Sequence, residues 1–186
     1  SLVLEKNNDE LVEIIDVEKI LAEVSPANDD ISEGLVTEDV SRRAAEVEIM
    51  IADDSKIARK QITKTLERIG FKVVSFNDGR EAHDHLMSLI EQGIRPAEKY
   101  PILISDIEMP EMDGYTLTAE IRANNQLNDM YVVLHTSLSG VFNKAMVSKV
   151  GADDFLAKFQ PDMLAQLVID RLTTLGVDLP PVDGES

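Results

Sequence analysis

Cysteine is absent from the 186 residues, so the chain can build neither a disulfide nor a thiolate metal site. Basic residues are scarce: 18 Lys and Arg stand against 35 Asp and Glu, for a net charge of −17. A nucleic-acid binder relies on Lys and Arg to neutralise phosphates, and this balance argues against one. No apolar stretch approaches the roughly 20 residues that a membrane span needs. The chain opens SLVLEK, with neither an initiating Met nor a secretory-signal pattern. Those exclusions leave a cytoplasmic protein, trimmed at its N-terminus, as the simplest reading. What is present suits a soluble globule: 44% hydrophobic residues for a core, and 28% charged.

Charge is spread unevenly. Residues 1–46 carry 13 acidic and 4 basic side chains, net −9, while residues 47–186 carry 22 and 14, net −8. The composition therefore shifts near residue 46. Ahead of it, "SLVL" and "LVEIID" read as two short strands with a tight connection, and "VEKILAEVS" sets Val17, Ile20, Leu21 and Val24 on one helical face. Residues 25–46 have Pro, Gly, Ser and many charges without a sustained period, and read as an acidic linker.

From residue 47 the pattern alternates. "VEIMIA", "FKVVSF", "PILIS", "YVVLH" and "FLA" are strand-length apolar runs, and helical stretches are expected over 55–69, 80–92, 114–123, 140–150 and 161–174. Five β–α repeats with near-continuous apolar strands predict a doubly wound parallel sheet with helices on both faces. Sites in such sheets lie at the carboxyl ends of the strands.

Chemistry-bearing residues stand at those ends. Asp53 and Asp54 follow the first strand, Asp106 the third, Thr136 and Ser137 the fourth, and Lys158 the fifth. In a doubly wound sheet these four strands are neighbours, so the groups converge. Three adjacent carboxylates raise one another's pKa unless they share a cation, and Mg2+ suits hard oxygen donors beside a phosphate. Lys158 and a hydroxyl can hold phosphoryl oxygens, and Asp106, central among them, is the natural nucleophile. The arrangement reads as a phosphoryl-accepting pocket. Other candidates carry less: His83 and His85 are two apart on a helix and face different sides, His135 reads as packed or exposed, and Asp153-Asp154 as a turn into the last strand.

The stretches "IMIADDSKIARK", "ILISDIEMPEMDGYTL", "VVLHTS" and "GADDFLAKF" make residues 47–175 resemble a response-regulator receiver domain of the CheY type. The resemblance implies a flavodoxin-like five-stranded sheet of order 2-1-3-4-5. It also implies Asp106 as phosphoacceptor and Thr136 and Lys158 as contacts to the phosphoryl group. Asp54 would hold Mg2+ directly, Asp53 largely through water, and Glu108 through its backbone carbonyl. Thr136 and Phe155 match the family's switch pair, which would reshape the surface of residues 138–162. Residues 1–24 resemble the end of a CheW-like coupling domain; a coupling domain before a receiver is the layout of CheV chemotaxis proteins. That layout implies the C-terminal part of a longer protein, with 176–186 an acidic tail. The implied partners are a CheA-type histidine kinase, the chemoreceptor–kinase complex and the chain's own coupling domain. The sequence departs from the family pattern after Lys158, where Pro161 comes three residues later, and in a longer "EQGIRPAEKY" loop. A haloacid-dehalogenase-like phosphatase is the rival, but Glu108 stands where its general-acid Asp belongs and Lys158 follows rather than precedes the late acidic pair. A receiver that is never phosphorylated and acts as scaffold is the other alternative.

Overall fold

The computed structural model describes residues 3–7, 10–14, 31–32, 35–136, 149–158 and 160–175. The two short N-terminal strands are β1 (Val3–Asn7) and β2 (Glu10–Ile14), paired antiparallel with Val3 opposite Ile14 and Asn7 opposite Glu10. The helix expected over 17–25 lies outside the described residues, as do the tail 176–186 and most of 140–150.

The stretch read as a linker needs correction, because residues 38–44 form a helix, α1 (Glu38–Ala44). Thr37 accepts a hydrogen bond from the Val40 N–H at its start, Glu38 and Asp39 occupy the first turn, and Arg42 and Arg43 the last. That charge order complements the helix dipole. A helix of seven residues does not persist alone in water, so burial must hold it. Ala44 and Val47 belong to the core, and Ile31, Val36 and Val40 pack against it.

The five apolar runs become β3 (Glu48–Ala52), β4 (Lys72–Phe76), β5 (Ile102–Asp106), β6 (Tyr131–Thr136) and β7 (Asp154–Ala157). All pairings among them are parallel, and the order β4-β3-β5-β6-β7 is the 2-1-3-4-5 arrangement expected of the receiver. Between them run α2 (Lys56–Ile69), α3 (Gly79–Glu91), α4 (Pro96–Lys99) and α5 (Gly114–Ala123), and α6 (Pro161–Thr174) follows β7. Each helix start has a local cause. Ser55, Asp78 and Asp113 accept from the N–H groups of Ala58, Glu81 and Thr116, and Pro161 opens α6, where a missing N–H costs little. Gly70 ends α2 in the left-handed region at φ 119°, a conformation that costs glycine nothing sterically.

Side chains alternate across the sheet. Ile49, Ile51, Ile104 and Val133 face α2 and α6, joining Ile62, Leu66, Leu164 and Val168 in one core layer. Met50, Leu103 and Val132 face the other way, joining Leu86, Leu117 and Ile121 of α3 and α5. The lengthened loop before β5 contains a turn of helix, α4, that starts on buried Pro96 and brings Tyr100 into the second layer. There the Tyr100 hydroxyl lies 3.1 Å from His85 Nε2, and the His85 ring stacks 4.9 Å from Phe76.

Candidate functional site

The end of β3 is shaped by four hydrogen bonds around Asp53. Its N–H continues the ladder to the Phe76 carbonyl at 3.2 Å. Its Oδ1 accepts from the Ser55 N–H at 2.8 Å, which turns the chain into α2, and Ser55 then caps that helix. One turn into α2, Arg59 reaches back and donates from Nη1 to the Asp53 carbonyl at 2.5 Å. Asp53 is thereby buried completely, while Asp54 beside it is exposed.

Asp106 ends β5 and is 4% exposed. Its Oδ1 accepts from the Ile107 N–H at 2.7 Å and its Oδ2 from Lys158 Nζ at 2.8 Å. Lys158, directly after β7 and itself buried, also stands 3.3 Å from Asp53 Oδ2. Carboxylate oxygens of Asp53, Asp54 and Asp106 lie within 4.8 Å of one another. The strand register explains the convergence, since Ala52 pairs with Ser105 one residue short of both aspartates.

Among the described residues, one lysine lies between two of these three acids. Burial pushes the Asp53 carboxyl up to about 7, and Asp106 adds repulsion, although Lys158 and the Ser55 N–H pull the other way. Asp53 Oδ2 is buried without a well-formed hydrogen bond. A buried carboxylate oxygen that meets Lys158 at 3.3 Å, beside two further acids, one of them open to solvent, suits a hard divalent cation.

The remaining predicted residues are placed as follows. Thr136 ends β6, one position beyond the pairing of Asp106 with His135, and its backbone lies opposite Ala157. Glu108 is exposed, two residues past Asp106. Phe155 is half-buried on edge strand β7, opposite Leu134 and packed with Ile107. Arg59 escaped the sequence reading; its signal is a cation one helical turn beyond the Ser55 cap. His83 sits 3.6 Å from Asp84 and His85 packs on Tyr100, so the two histidines do face different surroundings. Asp153 accepts from Arg122 Nη2 and from the Val132 N–H, fixing the turn into β7.

His135 is packed: it is 4% exposed and its Nδ1 has no partner. Burial and then the Lys158 charge hold its imidazole down at about 3. Unfolding releases it to an ordinary value near 6.5, so between pH 6.5 and 3 the unfolded chain binds more protons. Stability from this group therefore falls as pH falls, by about 3 kcal/mol between pH 6.5 and 4. Asp53, whose pKa is raised, works in the opposite sense between pH 7 and 3.8. His135→Leu isolates the first effect: urea midpoints measured against pH should decline less steeply for the variant than for the parent on the acid side. Parallel curves would show that His135 is protonated in the folded protein.

A parallel sheet of this order with acids and a lysine at its carboxyl edge defines a class, and the comparisons agree with it. The response regulator receiver domain family matches residues 49–169, and the chain belongs to that family. Among individual proteins, it is similar to chemotaxis protein CheV1 of Helicobacter pylori, at 28% identity over 158 residues, 85% of this chain and 48% of the relative. The chain thus spans about half the length of that relative, and the similarity extends beyond the receiver itself. A CheY homolog of Campylobacter jejuni is 31% identical over 130 residues, covering 69% of this chain and 94% of the relative. Among solved structures, the signal receiver domain of a histidine kinase from Syntrophus aciditrophicus superposes with a TM-score of 0.58 at 29% identity, over 73% of this chain and 96% of that one.

Proposed function

We propose that this chain is the phosphorylatable receiver of a chemotaxis coupling protein, accepting a phosphoryl group on Asp106 from a CheA-type histidine kinase and thereby modulating receptor–kinase signalling. The observation that carries the reading is the gathering of Asp53, Asp54 and Asp106 within 4.8 Å around a buried lysine that already touches Asp106. An oxygen of Asp106 attacks the phosphorus of a phosphohistidine. The P–N bond breaks as the P–O bond forms, and the departing imidazole takes up a proton. Lys158, which pairs with Asp106 Oδ2 beforehand, is placed to follow the new negative charge, with Thr136 on the adjoining strand as the second contact.

Asp54, Asp106, Asp53 and the Glu108 backbone carbonyl are the proposed holders of Mg2+. When bound, the ion supplies positive charge for the phosphoryl oxygens. Phe155 is the proposed switch aromatic. It lines a groove of about 530 Å³ with Met163, Leu167 and Arg171, so a rotation of its ring would alter that surface. Similarity to CheV1, a chemotaxis protein, supports a chemotaxis role; a coupling module ahead of the receiver and work beside membrane chemoreceptors from the cytoplasm belong to the proposal. Among the described residues no helix is long and apolar enough to cross a membrane.

Incubation with a phosphorylated CheA-type kinase and Mg2+, followed by mass measurement, tests the whole reading: one phosphoryl group should be gained per chain. Multiple turnover of a phosphate ester, with no stable gain of mass, would point to a phosphatase instead. Asp54→Ala should weaken Mg2+ binding by about tenfold or more, equivalent to ~1.4 kcal/mol. Unchanged affinity by titration would remove Asp54 from the ligand set.

A further inference from the structure

We infer that residues 31–32 and 35–47 act as a strap through which the pocket communicates with the part of the chain that precedes the receiver. The inference rests on the reading of Asp106 as phosphoacceptor and extends it to an output route.

Three observations meet at α6. Ser32 is tied to Asp162 by two hydrogen bonds: its N–H donates to Oδ1 at 2.8 Å and its hydroxyl to Oδ2 at 2.6 Å. Both donors of one residue therefore satisfy both oxygens of one carboxylate, across 130 positions of sequence. These bonds also hold the Asp162 carboxyl below its ordinary pKa, as expected when donors favour the charged form. Next, α1 lies against both α2 and α6, with Ile31, Val36 and Val40 on the apolar layer that includes Leu164, Ala165 and Val168 of α6. The fit on α2 is close: a Cβ at Gly70 would stand 2.8 Å from the Ser41 carbonyl oxygen, so a side chain there would push α1 away. Finally, Asp162 lies in the first turn of α6, four residues after Lys158.

Lys158 links the two ends. Its ammonium is buried between Asp53 and Asp106, so a change in the charge carried by Asp106 changes what Lys158 must pair with. Only Phe159 and Gln160 separate Lys158 from α6, so a displacement of the Lys158 backbone has a short covalent route to the turn that holds Ser32. In this arrangement the strap needs no contact with the pocket itself. It reads the position of the α6 N-terminus and passes it to the part of the chain that precedes it in sequence.

Amide hydrogen exchange on the full chain, with and without Mg2+ and beryllium fluoride as a phosphoryl mimic, tests the strap. In the parent, loading should alter exchange at residues 104–108 and also at residues 31–44, the latter by about fivefold or more, the lower end of coupling usual between sites. Ser32→Ala should speed exchange at 31–44 before any addition, and loading should then move 104–108 without a matching change at 31–44. The strap is overturned if Ser32→Ala exchanges like the parent, or if the parent responds at 104–108 alone. Failure of 104–108 to respond in the parent would refute the phosphoacceptor reading and with it the coupling. The comparison of Ser32→Ala with the parent before loading would still show whether the tie to Asp162 exists.

Discussion

Replacing Asp106 by asparagine should give a folded protein that takes up no phosphoryl group. The amide keeps the shape of the carboxyl and an oxygen that can accept from the Ile107 N–H, the 2.7 Å bond that orients the parent side chain. Lys158 loses one anionic partner but keeps Asp53 at 3.3 Å, so its charge is not left alone in the interior. With one carboxylate fewer, Asp53 meets less repulsion, since Asp106 is among the causes of its raised pKa. The fold therefore has no reason to fail, whereas the chemistry does: an amide oxygen is too weak a nucleophile to form the acyl phosphate. Kinase incubation followed by intact-mass measurement should show complete loss of the base-labile label, with an unfolding transition as cooperative as the parent's. Full labelling of the variant at another residue would move the acceptor elsewhere.

Gly114→Ala should instead damage the fold at the pocket. Gly114 opens α5 and is buried against the end of β5, with its N–H donating to the Ile107 carbonyl at 2.9 Å. A Cβ added there would stand 2.1 Å from the Asp106 carbonyl oxygen and 3.0 Å from its carbonyl carbon. Both are backbone atoms, so no side chain can swing aside to make room. Either β5 shifts, and Asp106 with it, or α5 lifts away from Leu103 and Met50. Overpacking that only backbone movement can relieve costs about 3 kcal/mol, a large share of the ~5–15 kcal/mol that keeps a domain folded. Urea unfolding should show a midpoint well below that of the parent. A midpoint equal to the parent's would mean that the loop of residues 107–113 yields more easily than its hydrogen bonds suggest.

How far these features could be read in advance depends on the range of the forces behind them. The strands of the sheet were legible because each is a strand-length apolar run, buried through on central β3 and β5 and only partly on edge strands β4 and β7, and α5 and α6 because Asp113 and Pro161 mark their starts. Strand ends then located Asp53, Asp106 and Lys158, since topology brings those ends together whatever the loops do. Helix α1 was missed because Val36, Val40 and Ala44 recur at four-residue spacing inside a heavily charged stretch, and their burial depends on α2 and α6 far along the chain. Helix α4 was missed because a single turn gives no period to detect. The tie between Ser32 and Asp162 has no local signature at all. Nor does the Nδ1 of His135, buried without a partner. Such contacts come from tertiary packing, which decides them side chain by side chain.

The position of α1 also bears on how two such molecules could associate. A twofold pairing in which α6 of one copy lay along α6 of the other, centred on the surface beside α2, would need that surface on both copies at once. In each copy α1 already covers part of it, with Ala44 fully buried there. The chain's own helix thus acts as a steric guard on this side, and symmetric assembly through it would first require α1 to be displaced. Among the described residues, association that leaves α1 in place has other elements to use, such as edge strands β4 and β7 and the layer formed by α3 and α5.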